Sequence, residues 1–230
     1  MQHDSKILSI HQPNFLPWIG YFDKINKSDV FVILDEVQLP RGKSVANRNK
    51  IKTPQGEMEL VVPISKPKGN EGKVTYREAR IADGKWAKKA LKAIELNYSK
   101  APFFDKYFSV IKDLFSKGDF CQMNVDFIKY VVKELEINTE IELLSRKEGE
   151  YGNKNDLIVN LCRHFDANVY LSGKGAQKYN DPLYLKQYGI KLEYQEFEHP
   201  VYTQLHGEFI PYLSVLDLLM NHGPQSKNYL

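Results

Sequence analysis

Two short apolar runs near the N-terminus flank an amphipathic stretch. ILSI (residues 7–10) and VFVILD (30–35) are rich in β-branched residues and predict buried strands. Between them, IGYFDKINKS (19–28) carries apolar residues three positions apart, which predicts a short helix. A strand, a helix and a strand in this order predict a βαβ unit, in which the two strands run parallel.

The same alternation returns in the C-terminal third. Asn155 or Asp156 is placed to cap the first helix there, and Gly189 is placed to close the second. The pattern predicts a strand at 137–144, a helix at 155–165, a strand at 168–173, a helix at 182–189, a strand at 190–197 and a last helix at 212–223.

The middle of the chain has a different pattern. Residues 37–82 predict an antiparallel insert, with strands at 47–53 and 57–64 around a Pro-Gln-Gly turn and a third strand at 74–82. Residues 84–136 predict helices, the first of which places Trp86, Ala90, Ile94 and Tyr98 on one face. We therefore expect one domain over 1–230, of the α/β class: a Rossmann-like open parallel sheet with an inserted β-hairpin and helical subdomain.

Composition narrows the class of protein. The chain has 230 residues, 42% of them hydrophobic, and a net charge of +3 from 32 basic and 29 acidic residues. This balance gives no basic face for nucleic acid. The two cysteines, Cys121 and Cys162, form no CxxC pair and predict reduced, buried thiols. With no signal-peptide core and no apolar stretch of membrane-spanning length, we expect a soluble cytoplasmic protein.

The first candidate site follows the first strand. His11, Gln12 and Asn14 stand at the carboxyl end of that strand, where open α/β sheets bind ligands. The apolar residues of the same turn, HQPNFLPWIGYF (11–22), are equally well explained as packing that caps the core.

A second cluster, RGKSVANRNKIK (41–52), is basic and runs from Arg41 to Lys52. Asn47 and Arg48 are candidates to bind a nucleotide or a sugar phosphate. The alternative for the lysines is a solvated edge strand that they protect from aggregation.

The third cluster is YLSGKGAQKYND (170–181). Its strand ends before Ser172, Gly173 and Lys174, and small residues there would let backbone amides approach an anion. A plain strand-to-helix turn explains the same residues. Tyr179 and Asp181 could line the same opening.

The fourth cluster lies at 199–219. Tyr202 and Gln204 are candidate binding residues, and Asp217 is a candidate catalytic residue because it stands among leucines. A buried carboxylate of this kind is alternatively partnered by the backbone or an arginine, and Ser214 alternatively caps the last helix. The sequence has no metal-ligand spacing and no serine-hydrolase turn, and it indicates no particular cofactor.

Four of these segments together resemble the WbqC-like family. The family's QPxxLPWxGYF, NRxxI, YLSGxGAxxY and LSxxDLLxNxG patterns occur here in order, over about Ile7 to Gly223. WbqC-like proteins are associated with gene clusters for O-antigen and other surface polysaccharides. The resemblance therefore implies a role in surface-polysaccharide synthesis for this chain.

A more distant similarity is to nucleotidylyltransferases, which open with a strand, an HxGH loop, a helix and a strand. The tetrad at the corresponding place is Trp18, Ile19, Gly20 and Tyr21, in which only the glycine is retained. The cationic donors of that loop are therefore missing, and His11 is the candidate to replace one of them.

Two classes of function follow. The first is a transferase for a nucleotide-activated sugar or another activated small substrate in polysaccharide synthesis, by acyl, aminoacyl or nucleotidyl transfer. His11 would act as acid, base or charge stabiliser, and Arg48 and Lys174 would hold phosphate. The second is a non-catalytic ligand-binding or scaffolding component of a biosynthetic complex. Either could act as an oligomer.

Overall fold

The computed structural model describes residues 5–40, 42–65 and 74–230. Arg41 of the basic cluster and residues 66–73 of the predicted antiparallel insert lie outside the described residues. The strands are β1 (Ile7–His11), β2 (Val30–Ile33), β3 (Arg48–Thr53), β4 (Gly56–Val61), β5 (Glu140–Leu143), β6 (Val169–Ser172) and β7 (Lys191–Tyr194).

The described part of the chain also contains seven α-helices. They are α1 (Ile19–Asn26), α2 (Trp86–Tyr98), α3 (Phe104–Ser116), α4 (Phe120–Glu134), α5 (Lys154–His164), α6 (Pro182–Gln187) and α7 (Val215–His222).

Contacts divide the chain into two compact units. The sheet unit comprises Met1–His11, Asp23–Leu34 and Ile137–Glu198. The helical unit comprises Gln12–Phe22, Asp35–Glu136 and His199–Leu230. Both units are assembled from segments that are far apart in the sequence, and each is described by itself below.

The sheet unit confirms the predicted α/β class and its open parallel sheet. Five strands lie in the order β5-β2-β1-β6-β7, and every adjacent pair is parallel. All four residues of β2 are buried, as expected for a central strand covered on both faces. The chain builds outward from β1 on one side and then crosses to the other, so strand order reverses between β1 and β6.

The helical unit contains the predicted hairpin and helices. β3 and β4 pair antiparallel around a turn at Pro54 and Gln55. In α2, the buried residues are the four predicted ones, Trp86, Ala90, Ile94 and Tyr98. The third strand predicted at 74–82 is wrong: this segment makes only single backbone bridges, at Thr75, Arg80 and Ile81, within a run of turns.

Several cap predictions are also settled. The predicted caps Asn155 and Asp156 are wrong, because α5 begins at Lys154, with Asn153 at the N-cap. Ser214 does cap α7, since its hydroxyl accepts from the Leu216 amide. Both cysteines are free and buried, and burial raises the pKa of each thiol to about 12. Neither thiol is therefore activated as a nucleophile.

The aromatic turn belongs to the core of the helical unit. Phe15 is 1% exposed and lies 5.9 Å from Phe115 and 6.1 Å from Trp86 between ring centroids. Its backbone amide donates to the carbonyl of Ala46. The large side chains of this turn therefore fill a core and hold the backbone in place.

Gly20 should be required by the packing of Trp18. A Cβ at Gly20 would lie 2.3 Å from Cη2 of the Trp18 ring, which packs against Tyr212. We expect Gly20→Ala to lower the free energy of unfolding by about 1–3 kcal/mol, because the ring must shift. Urea denaturation of the full chain measures it.

Gly84→Ala is the matched control. A Cβ at Gly84 meets no atom within 4 Å, and its backbone lies outside the left-handed region. We expect this change to stay within about 0.5 kcal/mol of the wild type or to stabilise slightly. Equal stabilities for the two variants would show that the Trp18 ring does not require the glycine.

Candidate functional site

The carboxyl edge of the parallel sheet is the first candidate site, and it lies in the sheet unit. Strand order reverses between β1 and β6, and open α/β sheets bind ligands at such a switch point. His11 is the last residue of β1, one residue beyond the predicted end of that strand, and Ser172 is the last residue of β6. Gly173 and Lys174 follow immediately.

The ladder between β1 and β6 stops before this edge. β1 pairs with β2 as far as His11, and β6 pairs with β7 as far as Ser172. β1 and β6, however, pair only as far as Leu8 with Tyr170. The two strands therefore leave an unpaired gap at the switch point, bounded by the last residues of each.

The backbone of Ile10 faces this gap. The Leu34 amide donates to the His11 carbonyl on the β2 side, whereas the Val169 amide donates to the Lys6 carbonyl on the β6 side. Because successive residues of a strand direct their backbone groups to opposite sides, the Ile10 carbonyl points toward β6, as that of Lys6 does.

His11 and Ser172 share the edge but lie on opposite faces of the sheet. Leu8 pairs with Tyr170, so the side chains of Tyr170 and Ser172 lie on the Leu8 face. His11 lies on the other face, with Ser9. The imidazole and the hydroxyl are therefore not placed to act together on one atom.

The polar residues at the end of β6 and in the turn that follows differ in exposure. Ser172 is 1% exposed, and its hydroxyl accepts from Asn180 Nδ2 at 2.9 Å, which occupies it within the protein. Lys174 is exposed at the start of a short 3₁₀ turn. A Cβ at Gly173 or Gly175 would meet no atom within 4 Å, so the space above the turn is open.

Lys24 reaches the same edge from the end of α1. It is 3% exposed, and its Nζ donates to the Ile10 carbonyl at 3.0 Å. The Nζ also lies 5.7 Å from the ring centroid of Phe31, which pairs with Ser9 and so lies on the face of His11. A buried ammonium thus contacts the backbone that borders the gap.

No carboxylate partners Lys24 in the described structure. The neighbouring Asp23 accepts from Lys27 Nζ at 3.0 Å and from Gln195 Nε2 at 2.7 Å. Burial lowers the pKa of Lys24 to about 7, and no other cause contributes. Near pH 7 both protonation states of this amine are therefore populated.

Sequence patterns missed Lys24. Lysines on amphipathic helices ordinarily extend their ammonium groups to solvent, and nothing in IGYFDKIN marks this one as different. Only the packing of the end of α1 against β1 and β2 buries it.

In the helical unit, three of the family-like segments interlock through their backbones. Asn49 Nδ2 donates to the Leu16 carbonyl, the Ser214 amide donates to the Lys50 carbonyl, and the Val215 amide donates to the Pro17 carbonyl. The residues that identify these segments are therefore largely structural. Gln12 and Asn14 lie in the same unit, and Asn14 is 8% exposed, with its amide donating to the Gln12 carbonyl.

The predicted basic cluster is neutralised by its own hairpin. Arg48 Nη1 lies 3.0 Å from Glu59, and Lys50 pairs with Glu57. Asn47 Nδ2 donates to the Val62 carbonyl, which joins the two strands. The positive strip expected for phosphate is therefore matched by acidic residues on β4, and a binding role for Asn47 and Arg48 stays a prediction.

Asp217 lies in a buried polar network. It is 0% exposed, and Tyr98 Oη donates to its Oδ1 at 2.7 Å, while the Lys52 amide donates to Tyr98 Oη. Its Oδ2 has no hydrogen-bond partner in the described structure. Burial raises the pKa of Asp217, and the side chains of Tyr98, Tyr202 and Gln204 oppose the rise only in part.

Lys52 and Gln204 hold one loop beside this carboxylate. Lys52, 1% exposed, donates from Nζ to the carbonyls of Gly207 and Glu208. Gln204 closes the loop by exchanging two hydrogen bonds with Ile210. The partner of Asp217 is thus a tyrosine hydroxyl, not the backbone or arginine considered from sequence, and the arrangement suits positioning of the loop. A catalytic role for Asp217 and a binding role for Tyr202 and Gln204 stay predictions.

The predicted site residues therefore fall into separate groups. His11, Ser172, Gly173 and Lys174 share the sheet edge, Tyr202, Gln204 and Asp217 form the buried network, and Asn47 and Arg48 lie on the hairpin. Among the described residues, no group of His, Cys, Asp and Glu is arranged to hold a metal ion. None of the described helices has the length and apolarity of a membrane span.

This fold and edge define a Rossmann-like α/β protein with a candidate ligand site at its switch point. Residues 12–229 match the WbqC-like protein family, so the chain belongs to that family. It is 32% identical over 229 residues to the uncharacterized protein Rv1507c of Mycobacterium tuberculosis, covering 98% of this chain and 97% of that protein. No solved structure matches the chain.

Lys24 should make stability depend on pH. Its folded pKa of about 7 lies below the usual 10.5, so the unfolded chain binds more protons between these values and stability rises with pH there. In Lys24→Met this rise of stability with pH is absent, because methionine does not titrate. From pH 7 to pH 10 we expect the wild type to gain roughly 2–4 kcal/mol relative to the variant in urea denaturation.

Lys186→Met is the control for this comparison, since Lys186 is an exposed lysine on α6 of the same unit. Its pH profile should run parallel to that of the wild type. A parallel profile for Lys24→Met as well would contradict the lowered pKa.

The Asp217 network should respond differently to two conservative changes. Tyr98→Phe removes the donor to a buried carboxylate, and we expect a loss of about 1.5–3 kcal/mol in the free energy of unfolding. Asp217→Asn keeps an acceptor for Tyr98 without the charge. Because burial raises the folded pKa of Asp217 above its usual 3.8, wild-type stability falls as pH rises through that range, and the Asn variant should gain on the wild type.

Urea denaturation of the three proteins from pH 4 to pH 8 measures both effects. A large loss for Asp217→Asn at pH 8 would mean that the folded protein depends on the ionised carboxylate.

Proposed function

We propose that this WbqC-like protein is a transferase that binds a nucleotide-activated or otherwise phosphorylated small substrate at the switch point of its sheet. The unpaired gap between β1 and β6 is the observation that carries the proposal, since the strands separate where the topology favours a ligand. His11 stands at the end of one strand, and Gly173 and Lys174 follow the other.

The chemistry proposed for this edge is displacement at an activated donor. An acceptor hydroxyl or amine forms a bond to the transferred group as the bond between that group and the leaving phosphate breaks. His11 accepts the acceptor's proton or stabilises the charge that develops on the phosphate. Lys174 and the backbone at Gly173 hold the phosphate. The association of WbqC-like proteins with surface-polysaccharide gene clusters supports an acceptor from O-antigen or other surface-polysaccharide synthesis.

A second candidate is a non-catalytic ligand-binding component of a biosynthetic complex. The observation that favours it is the tetrad Trp18 to Tyr21, which retains only the glycine of HxGH. Tyr21 is 3% exposed, its hydroxyl donates to the Gln12 carbonyl, and burial raises its pKa well above the usual value. That hydroxyl therefore supplies no positive charge to a phosphate.

Ligand-induced stabilisation tests the proposal. We expect at least one nucleotide or nucleotide sugar to raise the melting temperature of the wild type, with about 2.7 kcal/mol of stabilisation at 100 times its dissociation constant. His11→Ala should reduce turnover of the stabilising donor with a candidate sugar acceptor by about 100-fold or more. His164→Ala is the matched control, because His164 is an exposed imidazole on α5 that bonds to Tyr151.

The outcomes separate the two candidates. Binding without turnover, and with polysaccharide output unaffected by His11→Ala in cells, would favour the non-catalytic component. No stabilisation by any nucleotide or nucleotide sugar would remove the nucleotide from the proposal.

A further inference from the structure

Lys24 is a buried cation with unused hydrogen-bonding capacity. An ammonium has three N–H donors, and the Ile10 carbonyl is the one acceptor within hydrogen-bonding distance of this Nζ among the described residues. Burying an unpaired ammonium is unfavourable. A lysine is therefore a costly choice for a purely structural contact to one carbonyl.

The position of the Ile10 carbonyl fixes where the Lys24 ammonium lies. Continued pairing of β1 with β6 would give the Ile10 carbonyl a backbone donor from the end of β6, in the register set by Val169 and Lys6. β6 leaves β1 before that rung, and Lys24 Nζ takes the acceptor instead. Its ammonium therefore borders the gap in which the proposed function places a phosphorylated ligand.

The charged groups around Lys24 leave its charge uncompensated. On α1 itself, Asp23 is occupied by Lys27 and Gln195, and Lys27 also donates to the Glu196 carbonyl after β7. The titratable group at the end of β1 is His11, and β2 presents the ring of Phe31. None of these contributes an anion to Lys24.

We propose that Lys24 is the innermost contact of the switch-point site for an anionic group, a phosphate or pyrophosphate of the ligand, which enters the gap between β1 and β6. The inference rests on the proposed function and adds a residue that the sequence motifs do not contain. The free site holds the amine largely without its proton at alkaline pH, and a bound phosphate draws the proton onto it. Anion binding and protonation of Lys24 are thus linked.

Isothermal titration calorimetry at pH 8.5 tests this linkage. The full chain is titrated with UDP, and separately with inorganic pyrophosphate, in two buffers of different ionisation enthalpy. We expect the wild type to take up a large part of one proton per bound anion in excess of Lys24→Met. Lys24→Met should also bind about 10- to 100-fold more weakly, because a charge-assisted hydrogen bond is lost.

Two variants serve as controls. Lys186→Met removes an exposed cation from α6 of the same unit and should keep wild-type affinity and proton uptake. Lys24→Arg keeps a permanent charge and should bind the anion without taking up the additional proton. Circular dichroism and melting temperature establish that each variant is folded, and Lys24→Arg provides the test if Lys24→Met is not.

The results separate this inference from the proposed function. Binding by the wild type with equal affinity and equal proton uptake in Lys24→Met and Lys24→Arg would overturn the role of Lys24 and leave the ligand site standing. Lys24-dependent binding of pyrophosphate, with UDP no tighter, would support the inference and remove the nucleotide from the proposed function. No binding of either anion by the wild type would overturn both.

Discussion

The constraint on which the sheet unit depends is the parallel ladder between β1 and β6. What matters is the residue pair at which this ladder ends. It joins the two halves of the sheet through Leu8 and Tyr170 and then stops, while the flanking pairs continue to His11 and Ser172. A parallel sheet with crossovers on both sides of one strand creates a switch point by topology alone. The early end of this ladder converts that topological position into an unpaired gap bordered by backbone groups.

Each unit contains an ionisable side chain whose pKa is shifted from its usual value by burial. In the sheet unit, burial lowers the pKa of Lys24 to about 7 without a carboxylate partner. In the helical unit, burial raises the pKa of Asp217, whose Oδ1 accepts from Tyr98 and whose Oδ2 lacks a hydrogen-bond partner. The two groups differ in surroundings. Asp217 lies among tyrosines and loop-closing contacts, which suits positioning, whereas Lys24 contacts the edge where a ligand is expected.

Much of the sequence that identifies the family holds the helical unit together. Asn49, Pro17 and Leu16 belong to the matched segments, and their hydrogen bonds tie the turn, the hairpin and the start of α7 together. Arg48 is paired with Glu59 across the hairpin. A motif that preserves backbone interlocking identifies a fold reliably and says little about a reaction.

Periodicity alone determined much of this protein. The βαβ opening, the parallel class, the buried face of α2 and the cap at Ser214 follow from residue spacing and local propensity, which act within one helix or strand. Their position at the end of a strand also made His11, Gly173 and Lys174 candidate site residues. The prediction of a third strand at 74–82 is wrong because this segment forms single bridges and no continuous ladder. Only the tertiary structure decided that β6 leaves β1 early, that Ser172 faces away from His11 and that Lys24 is buried, because these depend on register and packing between segments far apart in the chain.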